Sequence, residues 1–219
     1  MEQPDIRILL VDHQQMVRCG LRRLLNDTPQ LCVVGEACSG EEAVQLSRSL
    51  KPDVVLMDVQ IPGIGGLEAT RRISRGEADT RIVVVASQLD GLFPIRLLDA
   101  GASGYLSKNC GIEEISDAIC MVCRGERYIS ADIARQIALA TLPGGGQSPF
   151  ERLTQRELQV MLMVAQGQSV HDISDHLCLS SKTISTYRYR LYEKLGVGND
   201  VELARLAIRH GVVGIAFQA

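Results

Sequence analysis

The sequence has nothing that would take it out of water. No apolar run approaches the roughly 20 residues needed to span a bilayer. No cationic start leads into an apolar stretch, so no export signal is expected. Seven cysteines are present, an odd number without a regular framework, which fits a reducing cytoplasm better than a disulfide scaffold. Cys120 and Cys123 form a CxxC, but they share a helical pattern with Ile115, Ile119 and Val122. No second pair or histidine cluster has metal-site spacing, so buried apolar cysteines are expected there. His13, His171, His176 and His210 form no recognisable set. Internal repeats and low-complexity tracts are also missing. Neither sign of charge dominates, the net charge being −3.

What is present suffices for two soluble domains: 219 residues, 46% of them hydrophobic. The charge is unevenly placed. Residues 1–127 hold 14 Lys/Arg against 18 Asp/Glu, and residues 128–219 hold 9 against 8. The first part is therefore acidic and the second slightly basic.

The first part alternates between short apolar runs and helical patterns. Strands are expected at 6–11, 32–37, 54–57, 82–86 and 104–106. Helices are expected around Val17 to Leu25, then at 41–50, 67–73, 95–100 and 112–123. Five strands alternating with five helices imply a doubly wound α/β domain with a parallel sheet covered on both faces. In such folds chemistry sits beyond the C-terminal ends of the strands. Asp12 follows the first strand, Asp58 the third and Lys108 the fifth. Two carboxylates and an ammonium converging on one edge suit a hard divalent cation, magnesium above all, and a phosphoryl group. Asp12-His13-Gln14-Gln15-Met16 offers no glycine-rich phosphate loop, which counts against a flavodoxin-like enzyme or cofactor carrier.

The second part is helical. Residues 128–140 read as a helix capped by Ser130. A Gly/Pro cluster at 142–149 breaks it. Thr154 and Glu157 form a capping box for a helix whose apolar positions are Val160, Leu162, Val164 and Ala165. Residues 169–177 form a second helix with Ile173 and Leu177 inward. Ser180 or Ser181 then caps a basic helix with Ile184, Leu191 and Leu195 inward. Within 180–195, Lys182, Arg188, Arg190 and Lys194 face one acid, Glu193. This is a helix-turn-helix whose last helix is built to lie in a DNA major groove. Residues 200–211 form a final helix, too apolar for one buried face alone. The domains expected are 1–127, a helix and linker at 128–149, and an all-α DNA-binding domain at 150–219.

The segment from Val54 through Asp58 and Pro62 to Ala69 resembles the phosphoacceptor segment of bacterial response-regulator receivers. Leu106-Ser107-Lys108 resembles their lysine segment, and Tyr105 stands at their aromatic switch position. The C-terminal part is similar to the LuxR-type helix-turn-helix, and together the two resemble the NarL/FixJ family. The resemblance implies a flavodoxin-like, CheY-like receiver. Asp58 would be the phosphate acceptor and Lys108 the phosphate partner. Asp12, Asp58 and the backbone carbonyl of Gln60 would be the magnesium ligands. It places Ser185, Thr186 and Tyr189 at base edges, with Lys182, Arg188 and Lys194 at phosphates and Thr183 and Arg190 on the same surface. The last helix would pair two DNA-binding domains.

Two positions depart from the family pattern. His13 stands where a second acid is usual. Counting back from Lys108 by the family spacing gives Ala86 where a Thr or Ser is usual, with Ser87 one residue on. Losing an acid weakens attraction for magnesium, and an imidazole suits softer metals. Losing the hydroxyl removes the contact through which phosphate would shift the domain between states. A cytoplasmic, non-enzymatic transcription factor is expected, binding a near-palindromic duplex as a homodimer. His13 and Ala86 favour a receiver with weak magnesium binding and no need of phosphate, governed by dimerisation, a ligand or a partner regulator. Asp58 and Lys108 favour the conventional alternative, phosphorylation by a histidine kinase.

Overall fold

The computed structural model describes residues 5–77, 79–86, 93–141, 149–210 and 212–213. The chain divides into two compact units, the first built on residues up to 138 and the second on those from 139 onward. Among the described residues no helix is long and apolar enough to cross a membrane.

The first unit runs β1 (Ile6–Val11), α1 (Gln15–Asn26), β2 (Leu31–Ala37), α2 (Gly40–Leu50), β3 (Val54–Asp58), α3 (Gly65–Gly76), β4 (Arg81–Ala86), α4 (Phe93–Asp99), β5 (Gly104–Ser107), α5 (Ile112–Cys123), β6 (Tyr128–Ile129) and α6 (Ala131–Thr141). The strands form one parallel sheet in the order β2-β1-β3-β4-β5-β6. Covered on both faces, β3 and β4 are buried almost throughout, which is why residues 54–57 and 82–86 are unbroken apolar runs. One face packs Ile8, Leu10, Leu56, Val83, Val85 and Leu106 against Ile115, Ile119 and Val122 of α5. The chain leaves β1 toward β2 on one side and reaches β3 on the other. The crevice between the ends of β1 and β3 is the usual ligand site of such sheets.

One expectation fails here. Tyr128 and Ile129 do not begin a helix. They add a sixth strand, pairing with Gly104 and Tyr105, and Ser130 N–H donates to the Tyr105 carbonyl at 3.0 Å. The open edge of β5 offers unpaired backbone, and an aromatic followed by a β-branched residue suits a strand there. The sheet thus extends past 127, and the helix starts at Ala131.

The second unit has a 3-10 turn at Pro149–Arg152, then α7 (Gln155–Ala165), α8 (Val170–Leu177), α9 (Ser181–Leu195) and α10 (Asp200–Arg209). Each start carries its cap. Thr154 and Glu157 form the expected capping box, Ser169 and Asp172 form another, Ser180 accepts from Thr183 N–H, and Asn199 accepts from Glu202 N–H. Cys178 ends α8 in the left-handed region (φ 52°) and Gly196 ends α9 there (φ 66°). Leu158, Met161, Val164, Ile173, Leu177, Ile184, Leu191, Leu203 and Ala207 make the core. Leu162 and Leu195, both expected inward, are only half-buried. Cys123, expected buried, is exposed. Residues 142–148 of the expected linker lie outside the described residues.

Candidate functional site

Three strand ends converge. Asp12 follows β1, and its Oδ1 accepts from Gln14 N–H at 2.8 Å. That turn releases the chain into α1. Asp58 closes β3, and its Oδ1 accepts from Gln60 N–H at 3.0 Å. Lys108 follows β5; its N–H donates to the Ala86 carbonyl at 2.8 Å. Its Nζ reaches Asp58 Oδ2 at 2.8 Å and Asp12 Oδ2 at 3.0 Å. Both carboxylates are almost wholly buried. Burial alone would pull the Lys108 ammonium down, but the charges of Asp58 and Asp12 outweigh it and hold the group above its ordinary range.

The loop from β3 to α3 is held against the pocket. A Cβ on Gly66 would fall 2.6 Å from the Asp58 carbonyl oxygen, so only glycine lets α3 start this close. Glu41, at the start of α2, accepts from Ile64 N–H at 3.0 Å. Glu41 was not singled out in the sequence. With Glu42 beside it in the first turn of α2 it reads as dipole compensation, and nothing nearby in sequence marks it as a loop anchor.

His13 joins this group. Its Nδ1 lies 3.4 Å from Asp58 Oδ2 and 3.8 Å from Asp12 Oδ1. Asp12, His13 and Asp58 offer three donor atoms within 4.8 Å of one another. Receiver domains bind magnesium at an acidic pocket of this kind. Magnesium prefers oxygen ligands in a tight octahedron, whereas one of these three side-chain donors is an imidazole nitrogen. The set fits magnesium poorly and a borderline dication better.

The end of β4 and the neighbouring β5 complete the pocket's surroundings. Ala86 ends β4 fully buried, with a methyl and no hydroxyl; Ser87 lies outside the described residues. Tyr105 is completely buried, and its hydroxyl has no hydrogen-bond partner. Burial first, then the charges of Asp132 and Asp58, push that phenol far above its ordinary range. The register pairs Val84 with Tyr105 and Ala86 with Ser107, so these four share one face of the sheet. Ser107 and Ser130 both bond the Asp132 carboxylate, and Ser130 foremost holds it below the usual range. This serine-aspartate link was not expected. Its only trace in the sequence is a serine two residues before an acid at a helix start.

In the second unit α9 presents Lys182, Ser185, Thr186, Tyr189 and Arg190 outward, with Thr183 half-buried. The Ser185 and Thr186 hydroxyls donate to the carbonyls of Ser181 and Lys182 at 2.9 and 3.0 Å. Arg188 is engaged inside the domain: its guanidinium bonds Asp200 and the Tyr192 hydroxyl, and Tyr192 also donates to Asp200. Lys194 Nζ lies 2.7 Å from Glu157 Oε2. Both cations, read from the sequence as phosphate contacts, have partners of their own.

Residues 8–120 match the family described as the response regulator receiver domain, and residues 151–207 match the bacterial regulatory proteins of the luxR family. The chain belongs to the response regulators. It is 52% identical to the response regulator GacA of Pseudomonas aeruginosa over 212 residues, covering 96% of this chain and 99% of that one. It is 50% identical to the response regulator UvrY of Escherichia coli K12 over 208 residues, 94% and 95% of the two chains. A solved LuxR-family two-component response regulator from Aurantimonas is 41% identical. It covers 61% of this chain and 96% of that one, with a TM-score of 0.59. The RcsB response regulator of Salmonella typhimurium shares the fold at 22% identity, with a TM-score of 0.75 over 95% of this chain and 100% of that one. This response regulator is therefore of the GacA/UvrY type, a DNA-binding regulator with a receiver and a LuxR-type helix-turn-helix.

Proposed function

We propose that this response regulator controls transcription without being switched by phosphate at Asp58. The single observation that carries the reading is Ala86, fully buried at the end of β4 with a methyl where a hydroxyl would be needed, on the same sheet face as the buried Tyr105. A receiver that answers phosphate needs a contact made in one state and not in the other. Ala86 offers no hydroxyl to a phosphoryl oxygen. Tyr105 lies fully buried, on the same face of the sheet as Val84 and Ala86. Asp58 and Lys108 keep the geometry of a phosphoacceptor and its partner. This favours a second reading, conventional phosphorylation by a histidine kinase.

In the proposed division of labour, residues 1–127 with the added strand form the receiver, residues up to 149 connect, and residues 150–219 bind DNA. Lys182 and Arg190 neutralise phosphates, with Thr183 beside them. Ser185, Thr186 and Tyr189 face bases. With their own hydroxyls spent on the helix, Ser185 and Thr186 contribute acceptors and, at Thr186, a methyl group. Arg188 and Lys194 brace the helix and reach phosphates only by leaving Asp200 and Glu157. Val201 (61% exposed) and Ile208 (37% exposed) share a face of α10, which suits pairing of two copies on a near-palindromic duplex. The protein acts in the cytoplasm, performs no catalysis of its own, and takes its signal from a partner regulator or a ligand.

The test is incubation with acetyl phosphate and magnesium, read by intact mass and by duplex affinity. Unmodified protein should gain little mass and bind DNA equally with and without treatment. The double variant His13→Asp, Ala86→Thr should gain one phosphoryl group and bind more tightly once it has it. Near-stoichiometric labelling of the unmodified protein with a matching rise in affinity would return the reading to the conventional one.

A further inference from the structure

The pocket that fits magnesium poorly has a donor set of its own. We propose that Asp12, His13 and Asp58 form a binding site for a borderline first-row dication, with zinc as its representative, and that His13 Nδ1 is a direct ligand. The inference deepens the reading of this pocket as one released from phosphate control.

Geometry supports it first. A dication held at ~2.0–2.2 Å by nitrogen and oxygen donors spaces neighbouring ligand atoms by roughly 3.0–3.5 Å. His13 Nδ1 stands 3.4 Å from Asp58 Oδ2 and 3.8 Å from Asp12 Oδ1. A shift of a few tenths of an ångström in a side chain that is 37% exposed closes the difference. The carboxylates need not move, because each is fixed through one oxygen: Asp12 by Gln14 N–H and Asp58 by Gln60 N–H.

A second observation is independent of the clustering. Asp58 is 2% exposed, and among the described residues its Oδ2 accepts no backbone N–H. It is ion-paired with Lys108 Nζ at 2.8 Å, and His13 Nδ1 faces it at 3.4 Å. A carboxylate oxygen takes more than one such partner, so this buried one keeps room for a ligand bond. This one points into the space the other two donors share.

Chemistry then decides which ion. Trading a carboxylate for an imidazole removes one negative charge, on which magnesium binding depends, and adds a nitrogen, which zinc, nickel and copper prefer to water or carbonyl oxygen. His13 remains accessible to solvent, which gives an ion a way in.

The experiment uses the full chain with its thiols alkylated beforehand, since none of the seven cysteines is among the proposed ligands. Zinc sulfate and magnesium chloride are titrated separately by calorimetry, and cobalt is added for its visible spectrum. One zinc per chain should bind, at least about 100-fold more tightly than magnesium. His13→Ala should cost zinc affinity a factor of about 10 or more and shift the cobalt bands. His13→Asp should narrow or reverse the zinc preference by strengthening magnesium and weakening zinc. Asp58→Asn should weaken zinc in the same way. Folding of each variant is checked by circular dichroism, and the exposure of His13 makes its variants safe in that respect. Equal zinc affinity in the unmodified protein and His13→Ala, or a preference for magnesium in the unmodified protein, would overturn the proposal. Phosphate uptake is measured in magnesium alone, so labelling of Asp58 could refute phosphate independence while leaving the zinc result standing.

Discussion

Tyr105→Phe should stabilise the receiver. The substitution removes one oxygen and leaves the ring, which is completely buried. In most buried tyrosines the hydroxyl is bonded and its loss is destabilising. Here the hydroxyl has no partner, so its removal relieves a desolvated polar group at no cost in hydrogen bonds. An unpaired buried hydroxyl costs about 1–3 kcal/mol, and that is the gain expected. For a unit of this size it raises the melting temperature by roughly 3–10 °C. Scanning calorimetry of the full chain reads it, because the two units are separately compact and only the receiver transition should move. Duplex affinity should be unchanged, since in the proposed reading Tyr105 does not travel between positions. A melting temperature that stays or falls would mean that the hydroxyl is paired.

Burial pushes the Glu157 carboxyl up, but the Lys194 ammonium and the Thr154 donors outweigh it and hold it below the ordinary range. A lowered carboxyl stabilises above its unfolded value and loses that contribution as pH falls through the folded one. The output domain's melting temperature should therefore drop on acidification through the carboxylate range. Glu157→Gln, which keeps the cap, should cost about 0.5–1 kcal/mol at neutral pH and flatten that dependence. On DNA, Lys182→Ala and Arg190→Ala should each weaken binding to all duplexes and reduce the salt slope by about one. Tyr189→Ala should instead change which bases are preferred, read by competition between duplexes.

Much of the fold was legible because burial on both faces leaves an unambiguous mark. Residues 54–57 and 82–86 are unbroken apolar runs, and the polar residues that follow β1, end β3 and follow β5 are where the pocket lies. Asp12, Asp58 and Lys108 were found that way, and the structure brings all three within 3.0 Å contacts. β6 was missed because two residues carry no period; its pairing with β5 is decided by an open edge elsewhere in the chain. The fates of Arg188 and Lys194 were equally hidden. A local count of charges shows four cations against one acid. It does not show that Asp200 lies twelve residues on or that Glu157 lies 37 residues back and folds beneath the helix. Nor can a sequence show that a tyrosine at a switch position rests inward with its hydroxyl unpaired.

The departure at His13 acts through charge. A pocket of three carboxylates and one ammonium is two charges short of neutrality, and closing it without a cation leaves strong repulsion among acids. With His13 in place of one acid, two carboxylates share the Lys108 ammonium and the deficit is one. Lys108 sits between them, 2.8 Å from one and 3.0 Å from the other, and largely compensates for their proximity by itself. In the proposed reading such a pocket attracts magnesium less than one with three acids. An ion that binds here would then do so through the strength of its bond to nitrogen rather than through the field of the site. On that reading the same substitution changes which ion can compete for the pocket, and the missing hydroxyl at Ala86 removes the means by which a phosphoryl group would report its arrival.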